Sequence, residues 1–89
     1  MEKVRFGFYA RLQAGGRVQI PVRWRWYHRL KPGALLWVTV RAGLTRVEFL
    51  TRMGRDGRFT ISRVEREVLE IERGDIVKVD IEVEESGEG

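Results

Sequence analysis

Gly57-Arg58-Phe59-Thr60-Ile61-Ser62 follows a turn and leads into a helix-forming run, and a matching stretch, Gly16-Arg17-Val18-Gln19-Ile20-Pro21, stands 41 residues earlier. Extended outward without a gap, the same shift places Phe8 on Phe49, Arg11 on Arg52, Arg25 on Arg66, Gly33 on Gly74 and Val38 on Val79. Eight identities fall in the 35 pairs from Phe8 to Ala42. Apolar pairs fill many of the other positions: Leu12 with Met53, Val18 with Phe59, Tyr27 with Val68, Leu30 with Ile71, Leu36 with Val77 and Val40 with Ile81. A unit of this size cannot bury its own apolar face, so an 89-residue chain that repeats itself in this way reads as two interlocked units sharing one core.

Each unit carries the same local signals. Phe6, Phe8, Ala10 and Leu12 alternate with Gly7, Tyr9 and Arg11, the period of a strand with one buried face. Gln13-Ala14-Gly15-Gly16 and Gly54-Arg55-Asp56-Gly57 are turns, and Arg17–Ile20 and Arg58–Ile61 are short strands. Pro21 and Ser62 suit helix starts, and Ser62 with Glu65 has capping-box spacing. Val64 and Val68, four apart, are expected on the buried face of the second helix with Glu67 outside. Glycine-containing exits at Leu30–Gly33 and Ile71–Gly74 lead to strands over Leu35–Arg41 and Val77–Val83. The predicted order is strand, strand, helix, strand, given twice.

Gly57-Arg58-Phe59-Thr60-Ile61, a short helix and then Arg73-Gly74-Asp75 resembles the AbrB/MazE/SpoVT group of small DNA-binding domains. Gly16 to Pro21 followed by Leu30-Lys31-Pro32-Gly33 is similar to the same signature, so the likeness covers nearly the whole chain, twice. Ala34, Ser62, and Arg29 with Glu70 depart from that pattern, standing where the group usually has an acid, a proline and a helix-ending glycine. Members are mostly dimers of one unit, and two units in one chain imply a monomer imitating that dimer. Only Ala42-Gly43-Leu44-Thr45 separates the units, which leaves no room for the group's fourth strand. Six strands and two helices look more like the related RIFT barrel, a shape that small archaeal proteins of similar length share. The resemblance therefore implies a mainly β fold, a six-stranded pseudo-two-fold cradle-loop barrel of RIFT type with one short helix per repeat. A swapped-hairpin AbrB-type barrel within one chain is the alternative. One domain is expected over 1–85, built from repeats 6–42 and 47–83, with 86–89 a flexible tail.

Charge divides the repeats. Residues 1–44 hold nine Lys or Arg and one acid, whereas residues 45–89 hold eight Lys or Arg and twelve acids. A basic half is a footprint for phosphates or for an acidic protein partner. The first predicted helix, Pro21-Val22-Arg23-Trp24-Arg25-Trp26-Tyr27-His28-Arg29, concentrates three arginines, two tryptophans and the only histidine. Arginine forks match phosphate geometry and exposed rings stack on bases. Arg23, Arg25, Arg29 and Lys31 are therefore candidate nucleic-acid contacts, and Trp24 and Trp26 candidate stacking residues. The plainer alternative packs Trp24, Tyr27 and His28 against the core. By position, the resemblance adds Arg11, Arg17, Arg52, Arg55 and Arg58, the basic residues of the first strands and the loops between them. The function this implies is nucleic-acid binding, with duplex DNA the expected partner and transcriptional regulation the expected role. An antitoxin-like protein-interaction module and a small-ligand barrel related to riboflavin kinase are the alternatives.

Other classes find little support in the residues. There is no cysteine, no phosphate-binding glycine loop and no nucleophile elbow, and no enzyme, cofactor or metal is expected. No apolar run reaches the roughly 18 residues of a membrane helix and no secretory leader is evident at Met1–Arg5, so a cytoplasmic protein is expected.

Overall fold

The structure is a computed structural model and describes residues 3–84; the expected tail at 86–89 lies outside them. Its elements are β1 (Lys3–Arg11), β2 (Arg17–Gln19), α1 (Val22–Tyr27), β3 (Leu35–Ala42), β4 (Thr45–Arg52), β5 (Arg58–Thr60), α2 (Arg63–Leu69) and β6 (Ile76–Glu84). β3 and β4 form a hairpin over Gly43-Leu44, so the segment between the repeats is a tight turn.

The strands do not close into a barrel, which corrects both the RIFT-type expectation and its swapped-hairpin alternative. They divide into a four-stranded antiparallel sheet, ordered β1-β6-β3-β4, and a separate two-stranded sheet of β2 and β5. With two helices, this is a mixed α/β fold. The physical reason lies just past Arg11 and Arg52. Leu12 N–H donates to the Asp75 carbonyl, but Gln13 N–H turns back to Arg17, and in the second unit Gly54 N–H turns back to Arg58. The three-residue strands β2 and β5 spend their ladder on each other, leaving β1 and β4 as the edges of the larger sheet. Charged side chains along β4 (Arg46, Glu48, Arg52) discourage further pairing at one edge.

The strand registers obey the 41-residue shift. The pairs Phe6–Ile81 and Val40–Val47 exchange under it, and Thr39–Asp80 and Val18–Phe59 each map onto themselves. A local two-fold therefore passes through both sheets, and the first strand of each unit pairs with the last strand of the other. The core follows the alternation. Phe6 and Phe8, Leu36, Val38 and Val40, and Val77, Val79 and Ile81 fill one face of the large sheet. Val18, Ile20, Phe59 and Ile61 cover it, and Leu12 and Met53 plug the ends. Among the described residues, none that is charged or polar is buried with them.

The helices depart from the predicted pattern. The capping box forms: Glu65 N–H donates to the Ser62 hydroxyl and Ser62 N–H to the Glu65 carboxylate. The inward residue of α2, however, is Leu69, 4% exposed, whereas Val64 and Val68 are 68% and 53% exposed. In so short a helix a single inward side chain fixes the rotation, and Leu69 sits where the helix meets the core. Both helices end on a non-glycine residue in the left-handed conformation, Arg29 at φ 54° and Glu70 at φ 57°. These are the two positions where the resemblance has glycine.

Candidate nucleic-acid interface

Several of the repeated arginines are tied into the fold. Arg11 donates from Nη1 to the Gly74 carbonyl at 2.9 Å, and Arg52 donates to the Gly33 carbonyl at 2.8 Å. Each thereby ties the first strand of one unit to the helix exit of the other. Arg25 Nε donates to the Ile20 carbonyl at 3.2 Å, and its guanidinium covers Gly57, where an added Cβ would lie 2.5 Å from Cζ. Arg66 covers Gly16 in the same way. Arg58 donates from Nε to Gln13 Oε1 at 2.8 Å and from Nη1 to Asp56 Oδ2 at 2.7 Å. The hydrogen bond from the Arg58 side chain holds the exposed Asp56 carboxyl below its ordinary value of 3.8.

Arg17, Arg23, Arg29, Lys31 and Arg55 make no ion pair or side-chain hydrogen bond among the described residues. They do not share one surface by contact. Arg17 stands beside Gly15 in the β1–β2 turn, next to the Gly16 that α2's Arg66 covers. Arg23 and Arg29 belong to α1 and its end, and Lys31 to the exit turn that Arg52 holds at Gly33. Arg55 lies in the turn whose Gly57 rests under Arg25 of α1. Arg25 of α1 thus meets the β4–β5 turn of the other unit.

α1 starts at Pro21, whose carbonyl accepts from Trp24 and Arg25 N–H. Its rings have different fates. Trp24 turns inward and stacks on Phe6, with centroids 5.5 Å apart, and on His28 at 5.7 Å. His28 lies 4.9 Å from Phe6, in the place Leu69 holds in the second unit. Trp24 Nε1 and His28 Nε2 are buried without a hydrogen-bond partner. Trp24 is thus spent on packing. Trp26 and Tyr27 stand outside, 77% and 76% exposed. Tyr27 meets Trp24 and His28 edge-on, the nearer ring at 4.8 Å, and leaves its outer face open. The sequence reading groups Tyr27 with Trp24 and His28 as packing residues and its repeat partner Val68 with the buried face of α2; both Tyr27 and Val68 are exposed.

A hollow on the open face of the large sheet, lined by Arg5, Gly7, Trp37, Thr39, Glu48 and Glu82 among others, holds none of the candidate residues. Two of its wall residues, Arg5 and Glu82, pair with each other, and Glu82 also pairs with Lys3 at 3.1 Å. Among the described residues no group of three or more His, Asp or Glu is placed to hold a metal ion, and no helix is long and apolar enough to cross a membrane.

No family model and no curated protein matches the chain. Among solved structures it is similar to the solution structure of PHS018 from Pyrococcus horikoshii, with a TM-score of 0.77 and 21% sequence identity over 91% of this chain and 95% of that one. At that identity the likeness establishes a shared fold.

Proposed function

We propose that the protein binds nucleic acid through α1 and its exit turn, with Arg23, Arg29, Lys31 and Arg55 meeting phosphates and Trp26 packing on a base or sugar. One observation carries this reading. Under the repeat shift, Trp26, Arg29 and Lys31 fall on Glu67, Glu70 and Glu72. The same backbone carries acids in one unit and an exposed ring with cations in the other, so the fold does not demand the basic set. Arginine and lysine without carboxylate partners are free to displace counterions from a phosphate backbone. A nucleic-acid ligand goes with a cytoplasmic location.

Electrophoretic shifts across a salt series test the reading. Affinity should fall steeply with salt, and Arg29→Glu with Lys31→Glu should reduce the slope by roughly 0.7–0.9 for each phosphate no longer neutralised. Absence of a shift with duplex DNA, single strands and RNA at low salt would overturn it.

A further inference from the structure

Resting on that reading, we infer that the ligand of the α1 face is an unpaired stretch of nucleic acid, seated by base stacking on Trp26 and Tyr27. The two rings are consecutive and more than three-quarters exposed. Trp26 makes no ring contact among the described residues, whereas Trp24, two residues earlier, is consumed by the stack on Phe6 and His28. Packing therefore leaves two large π-faces in water that the fold does not require, since their repeat partners are Glu67 and Val68.

The ligand must offer π-faces as well as negative charge. In a duplex, base faces are covered by their neighbours and only the edges are open. In a single strand every base presents a face, and stacking on aromatic residues is the usual mode of binding. α1 also has little left for reading base edges, because Arg25, one of its two arginines, is already held on the Ile20 carbonyl and over Gly57. The helix is six residues, about 9 Å long, and carries no Asn, Gln, Ser or Thr. In sequence, cations flank the rings: Arg23, whose guanidinium lies 5.5 Å from the Trp24 centroid, precedes them, and Arg29 and Lys31 follow. No acid lies between Lys3 and Ala42, and Asp56, in the turn that Arg25 covers, is paired with Arg58.

The test measures anisotropy of labelled short oligothymidylate, oligouridylate and a hairpin duplex at matched salt. A single strand should bind more tightly than the duplex. Trp26→Ala and Tyr27→Ala should each weaken single-strand binding about 5- to 150-fold, the range for one base stack removed, and barely change the weak duplex binding. Trp26→Phe and Tyr27→Phe should retain most of the affinity, and unchanged melting of all four variants shows that folding is intact. Equal or tighter duplex binding, insensitive to both rings, overturns the single-strand assignment and leaves nucleic-acid binding standing. No binding of any probe overturns both.

Discussion

α1 and α2 occupy equivalent places about the local two-fold, yet they solve different problems. α2 has the devices of a stable short helix: a reciprocal capping box, an Arg63–Glu67 pair at 3.5 Å and one buried leucine. α1 has no side-chain cap, no acid, and a histidine where the leucine would be. Its inward contacts are rings on rings, and two buried ring nitrogens go without partners, against one such nitrogen, Arg66 Nε, in α2. Unpaired buried donors and acceptors cost stability. One copy of the repeat thus keeps the backbone but exchanges a capping box and a buried leucine for exposed rings and cations without carboxylate partners, the difference on which the proposed binding role rests.

The largest way to sharpen the contrast is to remove the α2 anchor. Leu69→Ala should destabilise by about 2–5 kcal/mol, the transfer and cavity cost of a buried leucine, read by denaturant unfolding. Val68→Ala, at the neighbouring position, should change stability by less than about 0.5 kcal/mol, as exposed substitutions do. Equal effects would mean that Leu69 is not the residue that anchors the helix.

Next come the glycines beneath the covering arginines. Gly16 and Gly57 both have φ near +77° (77° and 78°), so alanine at either adds the left-handed penalty of about 1–2 kcal/mol. At Gly16 the new Cβ would also lie 2.6 Å from the Ile61 carbonyl, whereas at Gly57 its nearest neighbours are all in the movable Arg25 guanidinium. Gly16→Ala should therefore lower the melting point more than Gly57→Ala. The reverse order would show that Arg25 is held more firmly than one hydrogen bond to Ile20 suggests.

Much of this is legible in the residues. The 41-residue repeat anticipates the matched registers and the Phe6-to-Leu12 alternation locates the inner face of β1, whereas Arg11, Arg25 and Arg52, expected at nucleic acid, donate to the Gly74, Ile20 and Gly33 carbonyls. Barrel closure is not legible, because β2 and β5 look alike whether their ladders continue to β1 and β4 or end in the local Gln13–Arg17 turn. The α2 face is misread for a related reason. In seven residues Val64/Val68 and Glu65/Leu69 have the same four-residue spacing, and only the core decides which faces inward. At the candidate interface, Glu67 opposite Trp26 in the repeat marks a ring that the fold does not demand, while the packing alternative holds for Trp24 and not for Tyr27, because apolar character says nothing about direction.

A smaller effect lies at the helix ends. Glu70 adopts φ 57° as a non-glycine residue, and Glu70→Gly should stabilise by about 0.5–1 kcal/mol through relief of that strain, partly offset by the freer unfolded chain. Arg29→Gly should give the same gain in α1 but weaken nucleic-acid binding, so the pair separates the structural from the proposed binding role at one backbone position. If Glu70→Gly lowers the melting point, the left-handed residue is held by its side chain rather than merely tolerated.

The smallest expected effect separates the two β-turns. Asp56, in the β4–β5 turn, has Gly15 as its counterpart in the first. Its carboxylate accepts from the Arg58 side chain at 2.7 Å and from Arg58 N–H at 3.1 Å, and the side-chain bond is the main reason its pKa is lowered. A carboxyl whose folded value lies below its unfolded value is the stronger acid when folded. Its contribution is therefore complete above the unfolded value near 3.8 and is lost as pH falls through the lowered folded value. The group is exposed, so solvent screens the pair and the contribution is small. Asp56→Asn should leave melting at neutral pH nearly unchanged and flatten the acid limb below about pH 4, the range in which the carboxyl is titrated. Arg58 should remain ordered, because Gln13 Oε1 still accepts from its Nε across the two units. A large loss at neutral pH would show instead that the β4–β5 turn depends on the carboxylate itself, as its glycine-rich counterpart in the first unit cannot.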